Sequence, residues 1–496
     1  MRKANKLDIE KVLKKVKHYL TENDLDDISA AWDFCLKVHS GQKRKSGEDF
    51  AFHPLKVAYK LALWEMDKTT IIAGILHDVL EDTKTRESDI ALRFGTEVAN
   101  IVKGVTKVSD IKMAGNKHEQ QIESLRRMIL VMAKDLRVVF VRLADRLHNM
   151  STLYALRKEK QLENSIETLE IYAPLADRLG MGQVKAELED LSFPFAYPTD
   201  YRDLVTKSKK MYEMAVKNMA EIENNLKKGL AQEGFEAIIN IRRKHLYSLW
   251  KKLKRPEIDN DLGKIFDLVA ARIITQTKED CYKALGVVHK IYRHNALIGV
   301  SDYIAQPKPN GYQSIHTKVH GPDGRIIEIQ IRTKEMHDEA EHGLSAHWRY
   351  SHAKSHGANE NMLNSGVFLG QKKYAWVQEL VNWQGVLKNP GDFINAVKLD
   401  AFHERIFVFS PKGDAFDLPT GSTPVDFAYA VHTKLGNYIK LAKVNNKIVP
   451  LSYVLKSGDI VEIIKSKEPR LPNPDWLDFT HTTSARTEIK KLTKKV

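Results

Sequence analysis

Gly74-Ile75-Leu76-His77-Asp78-Val79-Leu80-Glu81-Asp82 is the stretch from which the fold of the first half of the chain is read. Ile71, Ile72, Ile75, Leu76, Val79 and Leu80 recur at helical spacing and form a core-facing run. His77 and Glu81 are four apart, as are Asp78 and Asp82. The spacing predicts four ionisable side chains on one side of a mostly buried helix. Burying them is costly without a compensating charge. A metal that accepts mixed imidazole and carboxylate ligands, such as Mn, Fe or Zn, supplies one. A solvated helix end is the alternative for an isolated His-Asp pair, and the apolar flanks argue against it.

Outward from this stretch, residues 8–191 read as helices, with strong periodic runs and few turn clusters. Upstream lies His39, then the basic loop Gly41-Gln42-Lys43-Arg44-Lys45-Ser46-Gly47. Such a loop is suited to hold phosphate through its cations and backbone N–H groups. His53 precedes Pro54, which places it at a helix start. Downstream, Val138-Val139-Phe140-Val141-Arg142-Leu143-Ala144-Asp145-Arg146-Leu147-His148-Asn149-Met150 again predicts a buried helix with a polar intrusion. Asp145, Asn149 and Thr152 fall on one stripe of it. Asp145 is a candidate metal ligand, and Asn149 and Thr152 are placed to line the space beside it.

Composition sets the outer bounds. The chain has 496 residues, enough for several domains, and carries a formal net charge of +14. That excess suits an anionic partner: nucleotide, RNA or an acidic surface. Cys35 and Cys281 lie far apart, so no disulfide framework or paired-cysteine metal site is indicated. The N-terminus is amphipathic rather than secretion-like, and no apolar run is long enough to span a bilayer. A cytoplasmic setting is the expectation.

A Pro-punctuated boundary, Leu191 to Pro198, and a charged helix from about Asp200 to Glu233 lead into a second texture. Short β-rich runs then alternate with helices to about Tyr350, predicting an α+β domain. Four pieces of it carry chemistry. Arg242-Arg243-Lys244-His245-Leu246-Tyr247-Ser248-Leu249-Trp250-Lys251-Lys252 is a cationic run with aromatics, suited to a triphosphate; a solvated basic helix fits it equally. Ile265 to Ile274 reads as a buried strand holding Asp267 near its start and Arg272 near its end. Lys308-Pro309-Asn310-Gly311 makes a turn into an alternating strand on which Tyr312, Ser314, His316 and Lys318 share a face. In Ile327-Glu328-Ile329-Gln330-Ile331-Arg332 the isoleucines face one way and the polar residues the other. Asp267 and Glu328 on separate strands give two carboxylates, enough to hold one Mg²⁺ on a nucleotide.

Residues 355–370 are rich in Gly, Asn and Ser, a linker composition, and Ala375 to Trp383 reads as a short amphipathic helix. A compact β-grasp pattern follows, with strand Arg405 to Phe409, a turn at Pro411 to Asp414, a helix through Phe427 to Leu435 and a strand Asp459 to Ile464.

The order His53, His77-Asp78, Asp145 resembles the HD-type metal-dependent phosphohydrolases. The fuller segments His77 to Asp82 and Leu143 to Met150 resemble the hydrolase domain of the long RelA/SpoT proteins, which remove the 3′-pyrophosphate of guanosine tetra- and pentaphosphate, usually with manganese. The segments Gly311 to His316, Glu328 to Thr333 and Glu341 to Trp348 resemble the synthetase domain of the same family, which moves pyrophosphate from ATP to the 3′-hydroxyl of GDP or GTP. Phe407 to Asp414 and Pro424 to Tyr429 resemble the TGS module of threonyl-tRNA synthetases, certain GTPases and SpoT.

The resemblance implies a multi-domain chain. Its parts are an all-α HD-type hydrolase domain with linking helices (1–197), an α+β nucleotidyltransferase-like synthetase domain (198–352), a linker with short helices (353–402), a β-grasp TGS domain (403–466) and the start of a helical region (467–496). It implies Mn²⁺ on His53, His77, Asp78 and Asp145, with Glu81 and Asp82 handling water and Arg44, Lys45, Ser46, Asn149 and Thr152 holding the nucleotide. It implies Mg²⁺ on Asp267 and Glu328, with Glu328 also activating the 3′-hydroxyl. Arg242, Lys244, Ser248, Lys252 and Arg272 are then expected on ATP. Lys308, Asn310, Tyr312, His316 and Gln330 are expected around the acceptor, with Tyr312 stacked on guanine. His432 is expected at the acceptor end of tRNA, in a ribosome-linked stringent response.

Two departures from the family pattern stand out: Ile241 where a Gly is usual, and Gly299-Val300-Ser301-Asp302 where a basic or acidic tetrapeptide is usual. The second of them motivates a rival reading, a hydrolase-dominant protein with a weak synthetase. A second rival is a tRNA- or ribosome-binding regulator with vestigial sites. The chain ends where the family continues into further C-terminal modules, so a truncated chain and a short member are both open.

Overall fold

The computed structural model describes residues 4–109, 127–132, 134–234, 237–256, 258–265, 268–292, 299–307, 312–322, 324, 326–343, 405–469 and 471–493. Asp267, Lys308 and Asn310, the linker and the helix expected at Ala375 to Trp383 lie outside them. The described residues up to 343 form one compact unit and those from 405 onward another.

The first unit opens with helices α1 (Glu10–Val16), α2 (Glu22–Val38), α3 (Phe52–Leu63), α4 (Lys68–Leu76), α5 (Val79–Asp82), α6 (Glu87–Phe94), α7 (Thr96–Ser109) and α8 (Arg137–Ser151). Local sequence sets their ends. Thr21 and Asp24 form a reciprocal capping box at the start of α2. Asp67 caps α4 by accepting from the Thr70 backbone N–H at 2.8 Å. Helices α3, α4 and α8 pack on one another. Val57, Leu61, Ile71, Ile75, Val139 and Leu143 in their shared core are fully buried. Burial of each such side chain stabilises by roughly 2 kcal/mol.

The stretch from Ile71 to Asp82 is not the single helix that its periodicity predicts. Regular bonding stops at Leu76 and resumes at Val79. His77 and Asp78 keep right-handed helical dihedrals across the break. The chain therefore holds its direction while tightening: the Asp78 carbonyl accepts from both Glu81 N–H at 3.1 Å and Asp82 N–H at 2.9 Å. Glu81 and Asp82 are consequently exposed, not part of the buried group expected of them.

Linking helices α9 (Lys158–Glu167), α10 (Ala173–Arg178) and α11 (Gly182–Ala196) lead to the long α12 (Pro198–Gln232). Pro194, read as part of a boundary, sits inside α11. A five-stranded sheet follows, built of β1 (Ile238–Arg243), β2 (Val269–Thr275), β3 (Val300–Asp302), β4 (Ile315–His320) and β5 (Ile326–Thr333) in the order β1-β2-β5-β4-β3. Only β2 and β5 run parallel. Strand β2 begins at Val269, so Ile265 precedes it rather than opening it. Helices α13 (Leu246–Leu253), α14 (Lys278–Ile291) and α15 (Lys334–His342) complete this part.

Strand alternation divides the sheet into two faces. Ile239, Ala271, Ile273, Ile327, Ile329, Ile331, Ile315 and Val319 share a core with Met219, Ile222, Leu226 and Leu230 of α12 and Ala284, Val287 and Val288 of α14. The register brings the polar residues into two rows on the other face. Arg242 pairs with Ala270, Ala270 with Glu328, and Glu328 with Lys318; Asn240 pairs with Arg272, Arg272 with Gln330, and Gln330 with His316. Ser314, expected on that face, precedes β4 and is buried, donating to the Ile331 carbonyl at 3.1 Å. Gly343 closes the end of α15 against the turn before α11. Its φ is +59°, and a Cβ there would lie 2.2 Å from the Leu179 carbonyl oxygen, so only glycine fits.

In the second unit, hairpin β6 (Arg405–Phe409) and β7 (Ala415–Pro419) joins a sheet ordered β10-β8-β9 through a parallel bridge between Phe409 and Ile460. Those strands are β8 (Ile439–Val444), β9 (Lys447–Val449) and β10 (Val461–Lys465). The helix expected from Phe427 to Leu435 is two: α16 (Pro424–Val431) and a short α17 (Thr433–Gly436). Fully buried Asp426 ties α16 to the segment before α18 (Thr483–Thr493). One carboxylate oxygen accepts from Thr423, the other from the His481 and Thr482 backbone N–H groups and the Thr482 hydroxyl.

Candidate active sites

The first site forms where α3, the α4–α5 break and α8 meet. His53 Nε2 lies 3.2 Å from His77 Nε2, 3.3 Å from Asp78 Oδ2 and 3.2 Å from Asp145 Oδ1. His77 Nε2 is 3.1 Å from Asp78 Oδ1 and 3.9 Å from Asp145 Oδ1. His53 and His77 thus cluster with a carboxylate oxygen of Asp78, and Asp145 Oδ1 lies beside His53. His77 Nδ1 donates to the Gly74 carbonyl at 2.8 Å, which leaves Nε2 as the metal-facing nitrogen. The donor set fits a divalent ion.

The electrostatics agree with that fit. Burial alone would lower the His77 pKa and raise those of the carboxyls. The carboxylate of Asp78 outweighs burial and lifts His77 to about 9. His77 and the neighbouring His53 hold Asp78 well below the usual carboxylate range, and His53 with Arg142 does the same for Asp145. Asp82, exposed at one side, is raised by the partial desolvation of the other and by the nearby Asp78 carboxylate.

Beside the cluster is a cavity of about 460 Å³, lined by Arg44, Lys45, Ser46, Asp145, Asn149 and Thr152 among others. Arg44 donates to Asn149 Oδ1 at 2.6 Å, and Asn149 Nδ2 donates to Asp145 Oδ1 at 2.5 Å. The Ser46 hydroxyl is buried and has no hydrogen-bond partner among the described residues. Further along the wall, Arg142 and Arg146 are held against Asp145 and Glu167. Gln42 donates to the Asp82 carbonyl at 3.0 Å and pairs with His39 at 2.7 Å, which ties the basic loop to the end of α5.

The second site is the polar face of the large sheet. Glu328 Oε1 accepts from Gln330 Nε2 at 2.9 Å and lies 3.2 Å from His316 Nδ1. Tyr312 Oη is 2.8 Å from His316 Nε2. Arg272 and Arg332, both nearly fully buried, converge at 2.9 Å on one oxygen of Glu341 from α15. Arg332 also donates to His337 Nδ1 at 2.7 Å. Burial and Arg332 lower Arg272 to about 10, and burial with Arg332 lowers His337 to about 4. Burial would raise the Glu341 carboxyl, but Arg272 and Arg332 outweigh it and lower it. Nε and Nη2 of Arg272 are buried with no hydrogen-bond partner among the described residues.

The basic run splits at His245. Arg242 and Arg243 end β1 and are exposed, and Lys244 follows them. Ser248 and Lys252 lie on α13. Ser248 donates to Glu189 of α11 at 3.4 Å, while Asp190 accepts from the Tyr247 backbone N–H at 3.0 Å and pairs with His245 at 2.9 Å. Asp302, the one family-like residue of its tetrapeptide, accepts from the Ile304 and Ala305 backbone N–H groups and from Tyr282. His432 is exposed at the end of α16.

Sequence reasoning assigned no role to three residues that the geometry makes central. His148 contacts both His53 and Arg44. Arg332 and Glu341 build the buried ion cluster. All three stand in segments quoted for other members, and a nine-residue gap between strand and helix carries no periodic signal of the Arg332–Glu341 contact.

Three family descriptions match the chain: "HD domain" over residues 31–182, "Region found in RelA / SpoT proteins" over 241–355 and "TGS domain" over 406–465. The chain is 44% identical over 482 residues to a GTP pyrophosphokinase of Myxococcus xanthus, covering 97% of this chain and 62% of that one. It is 43% identical over 499 residues to a guanosine-3′,5′-bis(diphosphate) 3′-pyrophosphohydrolase of Aquifex aeolicus, covering 100% and 68%. It is 41% identical over 483 residues to the bifunctional (p)ppGpp synthase/hydrolase SpoT of Escherichia coli, covering 97% and 66%. The chain therefore spans about three-fifths to two-thirds of the length of these relatives.

Proposed function

Since the chain belongs to the RelA/SpoT family, we propose that it both makes and destroys guanosine tetra- and pentaphosphate. One site hydrolyses the 3′-pyrophosphate, releasing GDP or GTP and pyrophosphate. The other transfers pyrophosphate from ATP to the 3′-hydroxyl of GDP or GTP. The observation that carries the reading is the convergence of His53, His77, Asp78 and Asp145 beside a cation-lined cavity.

In the hydrolase, His53, His77, Asp78 and Asp145 would hold Mn²⁺. A bound divalent ion supplies Lewis acidity, acidifying water and polarising a phosphate oxygen. Arg44, Lys45 and Ser46 hold the pyrophosphate, and the unpartnered Ser46 hydroxyl offers it a donor. Asn149 and Thr152 position the nucleoside. Glu81, one turn beyond Asp78, orients the attacking water, and Asp82, with its raised pKa, handles the proton.

In the synthetase, Glu328 is the base for the 3′-hydroxyl and, with Asp267, would hold Mg²⁺. His316 and Gln330 fix the Glu328 carboxylate. Arg242, Lys244, Lys252 and Arg272 hold the ATP phosphates, since transfer between polyanions requires cations around the moving group. Tyr312, Lys308 and Asn310 surround the acceptor. The β-grasp unit, with exposed His432, serves as a contact for tRNA and the ribosome. Among the described residues no helix is long and apolar enough to cross a membrane.

The test is transfer of pyrophosphate from ATP to GDP and to GTP with Mg²⁺, in an Asp78→Ala background that keeps hydrolysis from hiding the product. Product that disappears on adding Glu328→Ala supports the synthetase. Absence of product in both favours the hydrolase-dominant reading.

A further inference from the structure

We propose that His148 is a positioning residue of the hydrolase centre, fixing the tautomer of the ligand His53 and linking it to the phosphate-facing Arg44. The inference rests on the metal-hydrolase reading above and deepens it.

Three nitrogens meet at one point. His53 Nδ1 lies 2.8 Å from His148 Nδ1, and Arg44 Nη1 lies 2.9 Å from the same atom. A guanidinium N–H can only donate. His148 Nδ1 is therefore the acceptor and carries no hydrogen. The short approach of His53 Nδ1 then requires that this nitrogen carry one. His53 is thereby fixed with Nδ1–H toward His148 and with Nε2 toward His77, Asp78 and Asp145. This is the tautomer a metal ligand needs. His77 reaches the same tautomer by another route, through a backbone carbonyl. One imidazole is thus anchored to the main chain of α4, and the other to a side chain that Arg44 itself holds.

Arg44 is the second half of the device. Its two terminal nitrogens reach two metal ligands, each through one intermediary. Nη1 acts through His148 on His53, and Nη2 acts through Asn149 on Asp145. In this arrangement the single lone pair of His148 Nδ1 is shared between two donors. When Arg44 turns to a phosphate, His53 keeps that lone pair alone, and its ring is held more firmly. Phosphate and metal binding are therefore coupled through His148.

The test uses the full chain, stripped of metal and titrated with Mn²⁺, with affinity read from the free-ion signal by electron paramagnetic resonance. His148→Leu removes the acceptor, whereas His148→Asn keeps an oxygen near the position of Nδ1. Loss of a partner that orients a metal ligand costs about 10–100-fold in affinity. The expected result is that range for His148→Leu, and affinity within about threefold of wild type for His148→Asn. His148→Gln moves the acceptor one bond outward; it is read in place of His148→Leu if that variant does not fold, with the same loss expected. Inorganic pyrophosphate should tighten Mn²⁺ binding in wild type and in His148→Asn but not in His148→Leu. Wild-type affinity in His148→Leu and His148→Gln, or equal losses in His148→Asn and His148→Leu, would overturn the proposal. An Asp145→Ala control separates the two claims: a wild-type Mn²⁺ signal that survives it overturns the metal-centre reading itself, and this proposal with it.

Discussion

The helical centre and the sheet face balance charge in opposite ways. At the helical centre two carboxylates lie beside two imidazoles, and His77 carries a proton where the proposed cation would sit. On the sheet, two buried guanidinium groups share one oxygen of Glu341. On the proposed function the first arrangement would take up a metal and the second a polyanion. In each, an internal group of the ligand's own sign satisfies the buried charges, which would otherwise cost several kcal/mol per ion. The lesson is that a buried ionic cluster can report the sign of its ligand before the ligand is known.

The largest expected effect breaks one half of the comparison alone. Asp145→Ala should lower hydrolysis by on the order of a thousandfold, the equivalent of several kcal/mol of lost Lewis-acid stabilisation, while pyrophosphate transfer stays within about twofold. Parallel assays of the two reactions check it, and a matching loss of transfer would mean that the centres are not separable.

Next in size is Glu341→Gln. Removing the carboxylate leaves two buried guanidinium groups uncompensated, and about 3 kcal/mol of stability should go with it, read from urea denaturation. ATP should restore part of the loss by supplying phosphate oxygens to the same arginines. A variant as stable as wild type would show that Glu341 does not hold the cluster.

The two centres should also titrate in opposite senses. In metal-free protein His77 is raised to about 9 from 6.5, so its contribution to stability is complete below pH 6.5 and is lost as pH rises through 9. His337 is depressed to about 4, so its contribution is complete above pH 6.5 and is lost as pH falls toward 4. Histidine proton resonances followed from pH 4 to 10 check both, and similar midpoints for the two residues would remove the contrast.

The smallest effect is expected at Ser248. Its hydroxyl bonds Glu189 at 3.4 Å, a long contact, so Ser248→Ala should cost under about 1 kcal/mol of stability. The KM for ATP distinguishes this structural contact from a role on the nucleotide. A rise above about tenfold, or 1.4 kcal/mol, would place Ser248 on ATP.

Much of this was legible in the sequence because chemistry-bearing residues interrupt strongly periodic runs. His77-Asp78 and Asp145 stand out against isoleucine and valine, and Glu328 and Gln330 alternate with isoleucines that prove to be core. The helix break at His77 was not legible, since its flanks keep the helical spacing and its dihedrals stay helical. Nor was the burial of Arg332. The alternation puts it on the polar face correctly, but α15 folds back over that end of the sheet and covers it with Glu341 and His337. His148 was hidden for a related reason: its partners lie 95 and 104 residues away in sequence, on α3 and in the basic loop.

The central claim is that protons stand in for a metal among His53, His77, Asp78 and Asp145. Calorimetric titration of Mn²⁺ into metal-stripped protein at about pH 7.5, in two buffers of different ionisation enthalpy, tests it most directly. The account predicts one tight site, with release of about one proton or more on binding, because ligating imidazoles must be neutral. Binding heats independent of the buffer, or no tight site, would contradict it.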